Sequence, residues 1–360
     1  DNYRIFLPNN YRDLDGETGS ITNLFKIQSS LFIHTKEALW NVPKNYQERV
    51  TGQIVSFLGS GSYFEIPAQK ILDDENGNSA GTNHKWGAIK TQHGYFFPCE
   101  KQNCFYRFDG QSLKPITDEG IKNEIYYKIP IQAVTKNINN PSNPNGAGFI
   151  AAYDSKKERL LFTKKDYTEK DNERFDNSWT LSYSLKTGSW ISWHSYLPNM
   201  YISTSQNIFS WVSGDNHIWK HNVFGRYQNF YGKKQPFIIE YVSLGSPLTS
   251  QIWDSISIVA ESKRWIEDSN QFIDLKDIFF NKVLFYNTRQ SSGILDIIVK
   301  DLNLNQNYMV DQIDSLPNVV IADRTERNWN INNLRDFRVN PSEPLFKADR
   351  YSLKNEYFIA

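Results

Sequence analysis

Six histidines, two cysteines and a scatter of acids are the side chains in this sequence with the means for chemistry, and their spacing decides what they can do. The histidines are His34, His84, His93, His194, His217 and His221. His217 and His221 stand four apart, a metal-binding spacing on a helix, but their segment reads as strand and offers no helical face. The sequence holds no Gly-x-Ser-x-Gly elbow, no phosphate-cradling glycine loop ending in Lys-Ser/Thr and no His-Glu-x-x-His. Cys99 and Cys104 frame a short polar turn, which suits a hairpin-tip disulfide, half a metal site or two reduced thiols. Reduced thiols are the expectation, because no second Cys/His pair has zinc-site spacing.

The acids are equally unpromising as a reactive pair. Asp73, Asp74 and Glu75 precede Asn76-Gly77-Asn78, but the glycine is out of register for a calcium loop, and a solvated turn is expected. A glycosidase needs two carboxylates across a cleft. Asp109, Asp154 and Glu240 are candidates, and nothing in the sequence brings two of them together. Trp193, Tyr196 and Tyr201 sit near turns, where aromatic rings stack on sugars or pack on a partner; core positions are the expectation. No catalytic, cofactor-binding or metal-binding residue is assigned from the sequence.

The elements that would carry such residues read as strands. Aromatic residues make up 15% of the 360 positions, a composition suited to half-buried pleated surfaces. Forty basic residues balance forty acidic ones, so the whole molecule has no net attraction to nucleic acid or anionic membranes. No apolar run approaches the length of a membrane span. Short apolar runs at 24–27, 31–35, 38–43 and 54–58 alternate with Ser- and Gly-containing turns. Residues 86–116 hold three or four more, with Asp109-Gly110 as a strong hairpin signal. The pattern returns at 148–154 and 159–163, then, after a polar loop at 164–177, at 179–184 and 189–193. A third instance runs over 207–211 and 217–221. Each unit is a strand, a polar turn and a returning strand with an aromatic ring at the same level, at spacings near those of propeller blades.

The polar stretch 139–146 reads as a connection between blades, and 118–123 as a turn or so of helix at most. Beyond residue 245 the strands lengthen, at 255–260, 278–286 and 294–299. The expectation is an all-β, β-propeller-like array of short antiparallel strand meanders over 1–245, with final blades or an appended β-sheet domain over 246–360. An ordinary β-sandwich would use the same strands.

Several stretches carry a family resemblance. They are Gly81-Thr82-Asn83-His84-Lys85-Trp86-Gly87, Gly94-Tyr95-Phe96-Phe97, and the run Phe105 to Ile116 followed by Thr117-Asp118 and Gly120-Ile121. Tyr183 to Trp190 and Trp329 to Asp336 continue it. Over roughly residues 20–340 the chain resembles tail proteins of podovirus-like phages, closest in flavour to the tail muzzle, stump or nozzle proteins of crAss-like gut phages. The resemblance implies a structural, non-enzymatic virion protein without cofactor or metal. It implies a propeller platform of the distal tail tube, with copies ringing the DNA exit channel beside other tail proteins. DNA would pass unread, and a host surface receptor is a candidate partner. Proteins of that family are larger, and this sequence begins at Asp1 without Met, so a segment of a longer polypeptide is expected. The rival readings are a carbohydrate- or receptor-binding propeller and a propeller glycoside hydrolase.

Overall fold

The computed structural model describes residues 13–43, 48–51, 54–57, 66–74, 76–133, 141–143, 146–171, 173–240, 252–253, 255–266, 268–276, 278–286, 292–299, 319–332 and 358–359. The chain divides into two compact units, 1–237 and 238–360. The boundary expected at 245/246 lies outside the described residues, as do Leu58 and parts of the 139–146 and 288–293 turns.

The first unit is a series of small antiparallel sheets. Sheet I joins β1 (Ile21–Ile27), β2 (Ser30–Thr35), β3 (Leu39–Val42) and β6 (Gln69–Ile71), with the hairpin β4 (Glu48–Thr51) and β5 (Ile54–Phe57) between β3 and β6. Sheet II is an uninterrupted meander of β7 (Ile89–Thr91), β8 (Gly94–Cys99), β9 (Cys104–Phe108) and β10 (Leu113–Pro115). The helix α1 (Lys122–Ile125) is a single turn. Sheet III joins β11 (Gly148–Asp154), β12 (Arg159–Lys165), β15 (Trp179–Ser184) and β16 (Ser189–His194). Between β12 and β15 it throws out the hairpin β13 (Tyr167–Lys170) and β14 (Glu173–Asp176), where the sequence reads as a polar loop. Sheet IV has three strands, β17 (Met200–Ser203), β18 (Ile208–Trp211) and β19 (Trp219–Lys220), followed by the hairpin β20 (Asn229–Phe230) and β21 (Lys233–Lys234).

Alternation along each strand builds the stack. Successive side chains of a strand point to opposite faces. On β8 and β9, Tyr95, Phe97, Cys99, Tyr106 and Phe108 pack with Phe32 and Leu39 of sheet I. The intervening Phe96 and Phe105 pack with Phe149, Leu160, Phe162 and Leu181 of sheet III. On β12, Leu160 and Phe162 face sheet II, while Leu161 joins Ala152, Ile208 and Tyr201 against sheet IV. Sheet II is therefore buried on both faces, and its two central strands read as nearly continuous apolar runs.

The first strands of sheets II, III and IV lie nearest one another. Ala151 N–H donates to the Trp86 carbonyl at 2.9 Å, Tyr153 N–H to Ser203 Oγ at 3.1 Å and Ser155 Oγ to the Ser205 carbonyl at 2.6 Å. Face-stacked antiparallel sheets of three or four strands, with the first strands of sheets II to IV drawn together, make a propeller-like, all-β array, as the sequence leads one to expect.

Turn chemistry sets the registers. Asp109 accepts from the N–H groups of Gln111 and Ser112, at 2.9 and 2.8 Å, and fixes the β9–β10 turn. Gly110 takes φ +108°, a region L side chains rarely adopt. Gly94 opens β8 at φ +128°, and a Cβ there would lie 2.6 Å from the Phe108 carbonyl oxygen. Pro98 is tolerated in β8 because β7 pairs only as far as Phe96, so the missing N–H faces no neighbouring strand.

The second unit holds a five-stranded sheet in the order β23 (Ser255–Val259), β29 (Asn328–Asn332), β28 (Val319–Thr325), β27 (Leu295–Val299) and β26 (Lys282–Val283). One pair, β27 with β28, is parallel. Two smaller pairs are β24 (Ser262–Ile266) with β25 (Gln271–Leu275), and β22 (Ile252–Trp253) with β30 (Phe358–Ile359). Leu295, Val320, Ala322, Trp329 and Ile331 form the core, with Phe279 stacked on Trp329 at 4.5 Å. The long strand expected over 278–286 is a correction: its strand is Lys282–Val283, with a bridge at Tyr286, and between them the Ser292 hydroxyl and N–H engage Phe285 N–H and carbonyl.

Candidate interaction surfaces

The residues with chemical potential are used for structure. Cys99 and Cys104 face each other across β8 and β9 as free, buried thiols. Burial pushes the Cys99 thiol up to about 11. Among the described residues no three His, Cys, Asp or Glu side chains gather as a metal site. Asp73, at the head of the acidic turn, is buried and accepts the Tyr106 hydroxyl at 2.9 Å; Glu75 lies outside the described residues. Asp154 is buried and holds Arg159 Nε at 3.2 Å and Asn222 Nδ2 at 2.8 Å. Asp109 caps its own turn, and Glu240 accepts from the Tyr286 hydroxyl.

The histidines are dispersed likewise. His34 is fully buried between the Tyr95 hydroxyl and the Ala80 carbonyl, at 3.0 and 3.3 Å, and burial lowers its pKa to about 3. His217 pairs with Asp215 at 2.7 Å and His221 with Ser210 Oγ at 2.6 Å, so the two go to different partners. Of the three aromatics near turns, Tyr196 is buried and Tyr201 bonds Thr163 Oγ1 within the sheet III–IV contact. Trp193 alone stays exposed, beneath the Lys128 ammonium.

A buried polar latch holds the connection between sheets II and III. Lys164 and Asp166 are paired at 2.6 Å with side chains 2% and 0% exposed. Lys164 Nζ donates to the carbonyls of Lys128 and Pro130, at 2.8 and 2.6 Å. Asp166 accepts the N–H groups of Gln132, Ala133 and Tyr167. Glu100, from the β8–β9 turn, accepts His84 Nε2 at 2.5 Å and Ile131 N–H at 3.0 Å. Burial raises the Glu100 pKa, but the His84 hydrogen bond and charge, the Ile131 N–H and Lys164 outweigh it, and the net shift is downward. Buried charges persist when paired and hydrogen-bonded, and this set orders a segment that has no strand of its own.

The surface most suited to assembly is the outer face of sheet IV. Tyr201, Ile208 and Ser210 point toward sheet III, so Met200, Ile202, Phe209 and Trp211 point away, in the register Met200 opposite Trp211 and Ile202 opposite Phe209. Met200 is 40% exposed and Ile202 41%. The equivalent faces between sheets I, II and III are covered by the next sheet, while this one is open. The hairpin β13–β14 adds a second projection, with every side chain of β14 exposed, Phe175 included.

Comparison with known proteins gives the family. The family model described as Crassvirus muzzle protein matches residues 1–214, which include all of sheets I to III and the first two strands of sheet IV. A "Muzzle protein" of Bacteroides phage crAss001 is 22% identical over 273 residues. The match takes in 74% of this chain and 18% of the relative, so the chain spans about a fifth of that protein's length. With well over half of its residues matched by the family model, the chain belongs to the Crassvirus muzzle protein family.

Proposed function

We propose that this chain is a structural part of a phage virion, acts by packing rather than catalysis, and assembles as copies in a ring around the DNA exit channel of the tail. Family membership supports the virion role. The observation that carries assembly is the open face of sheet IV: an apolar sheet face is stable when another surface covers it. A ring needs heterologous, closing contacts, and the open face supplies one half of such a contact. Other tail proteins are partners on this reading, and DNA passes without specific binding. The even charge balance fits such passage, since tight phosphate binding would slow it. Residues 1–245 provide the blade-like array and 246–360 the appended β domain.

Light scattering across a concentration series tests the proposal. The chain is expected to form multimers, and Ile202→Lys with Met200→Ser is expected to return it to monomer without changing its melting temperature. A chain that stays monomeric at every concentration sinks the assembly reading. Release of reducing sugar from a capsular polysaccharide, abolished by an Asp154 substitution, would restore the hydrolase alternative.

A further inference from the structure

The even charge balance of the whole chain breaks down locally after sheet IV. From 216 to 239 the sequence contains Lys220, Arg226, Lys233 and Lys234 and no Asp or Glu. The same stretch holds Trp219, Phe224, Tyr227, Phe230, Tyr231 and Phe237. It folds as β19 and the hairpin β20–β21 around a cleft of about 340 Å³, lined by Trp219, Lys220, Arg226, Asn229, Phe230 and Tyr231 among others. Neither Lys220 nor Arg226 is in an ion pair among the described residues.

The aromatic walls are held in place. Asp215 accepts Trp219 Nε1 at 2.6 Å, Ser210 Oγ bonds the Tyr231 hydroxyl at 2.7 Å, and Phe230 packs on buried Tyr196 at 4.7 Å. Trp219 and Tyr231 stand at 88° to each other with centroids 5.9 Å apart. Two perpendicular rings make a corner rather than a slot. A pyranose can place C–H groups against both walls at once. Burial and the nearby Arg159 charge lower the His221 pKa to about 4, so at neutral pH the positive charge at the cleft is that of Lys220 and Arg226.

We propose that this cleft binds a carboxylated sugar unit of an anionic polysaccharide, with the aromatic corner seating the ring and Lys220 and Arg226 holding the carboxylate. Arginine and carboxylate match in a two-pronged geometry, and Asn229 at the rim offers an amide to hydroxyls. All its residues come from one chain, and Lys220, opposite Phe209 on sheet IV, puts the cleft beside the face proposed above for assembly.

The test is isothermal titration of the 360-residue chain in low salt with a hyaluronan tetrasaccharide, maltotetraose and (dT)8. Hyaluronan is expected to bind saturably at one site, and maltotetraose not to bind. Arg226→Gln and Lys220→Gln, both exposed and outside any described packing, are each expected to weaken binding by about tenfold with melting unchanged. Four outcomes overturn the proposal: no heat with hyaluronan, equal binding of maltotetraose, unchanged affinity in both variants, or tighter binding of (dT)8, which would assign the cleft to nucleic acid.

Discussion

The side chains that looked most chemical stabilise the fold instead, and that makes them sensitive to pH and to removal of a partner. His34 is neutral in the fold, with a pKa near 3 against an ordinary 6.5. Its folded pKa is depressed, so its contribution is fully present above about pH 6.5 and drains away as pH falls toward 3. The loss is on the order of a few kcal/mol. Thermal melting followed by circular dichroism from pH 7.5 to 4 is expected to show a falling midpoint, and His34→Gln is expected to flatten the curve while lowering its plateau. Glu100 adds a second loss at lower pH, because its depressed carboxyl protonates only below the ordinary carboxylate range. The Lys164–Asp166 pair predicts a larger single effect. Asp166→Asn leaves a buried ammonium without its counterion, a change of about 3–5 kcal/mol in comparable pairs, to be read from urea unfolding. None of this was legible in the sequence. Lys164 and Asp166 look like the start of a polar loop, and only folding shows that the backbone of 128–133 passes across them.

The strands, by contrast, were largely legible, because a face buried against a neighbour imposes alternation that can be read directly. The meander of β7 to β10 follows from runs of aromatics broken by Gly94, the Cys99–Cys104 turn and Asp109-Gly110. The hairpin β13–β14 was missed because its second strand buries nothing: Glu173, Arg174, Phe175 and Asp176 are all exposed, so no apolar period marks it. The run at 278–286 failed the other way, since nine residues rich in Ile, Phe, Leu and Tyr suggest a strand that the Ser292 bonds interrupt. Element-level packing gives its own prediction. Phe105 is fully buried against Phe149, Phe162 and Trp190. Phe105→Ala is expected to cost about 3–5 kcal/mol in a urea titration. Removing residues 168–175, where the hairpin projects, is expected to shift the midpoint far less, since it leaves the Asp166 carboxylate and the apolar cores intact.

For the whole molecule, the two compact units imply separable folding. Residues 13–237 expressed alone are expected to melt in one cooperative transition, checked by calorimetry, since sheets I to IV share continuous cores. A broad, non-cooperative melt would contradict that expectation.

Sheet II carries a further consequence. Its two central strands present Tyr95, Phe97, Tyr106 and Phe108 to one neighbour and Phe96 and Phe105 to the other. A slip of β8 by a single residue would swap these sets and spoil both contacts at once. The order of the sheets is thus written into the odd and even positions of one hairpin. An evolving phage can vary the exposed strand β14, but it cannot reorder or duplicate sheet II without rewriting the sheets on either side.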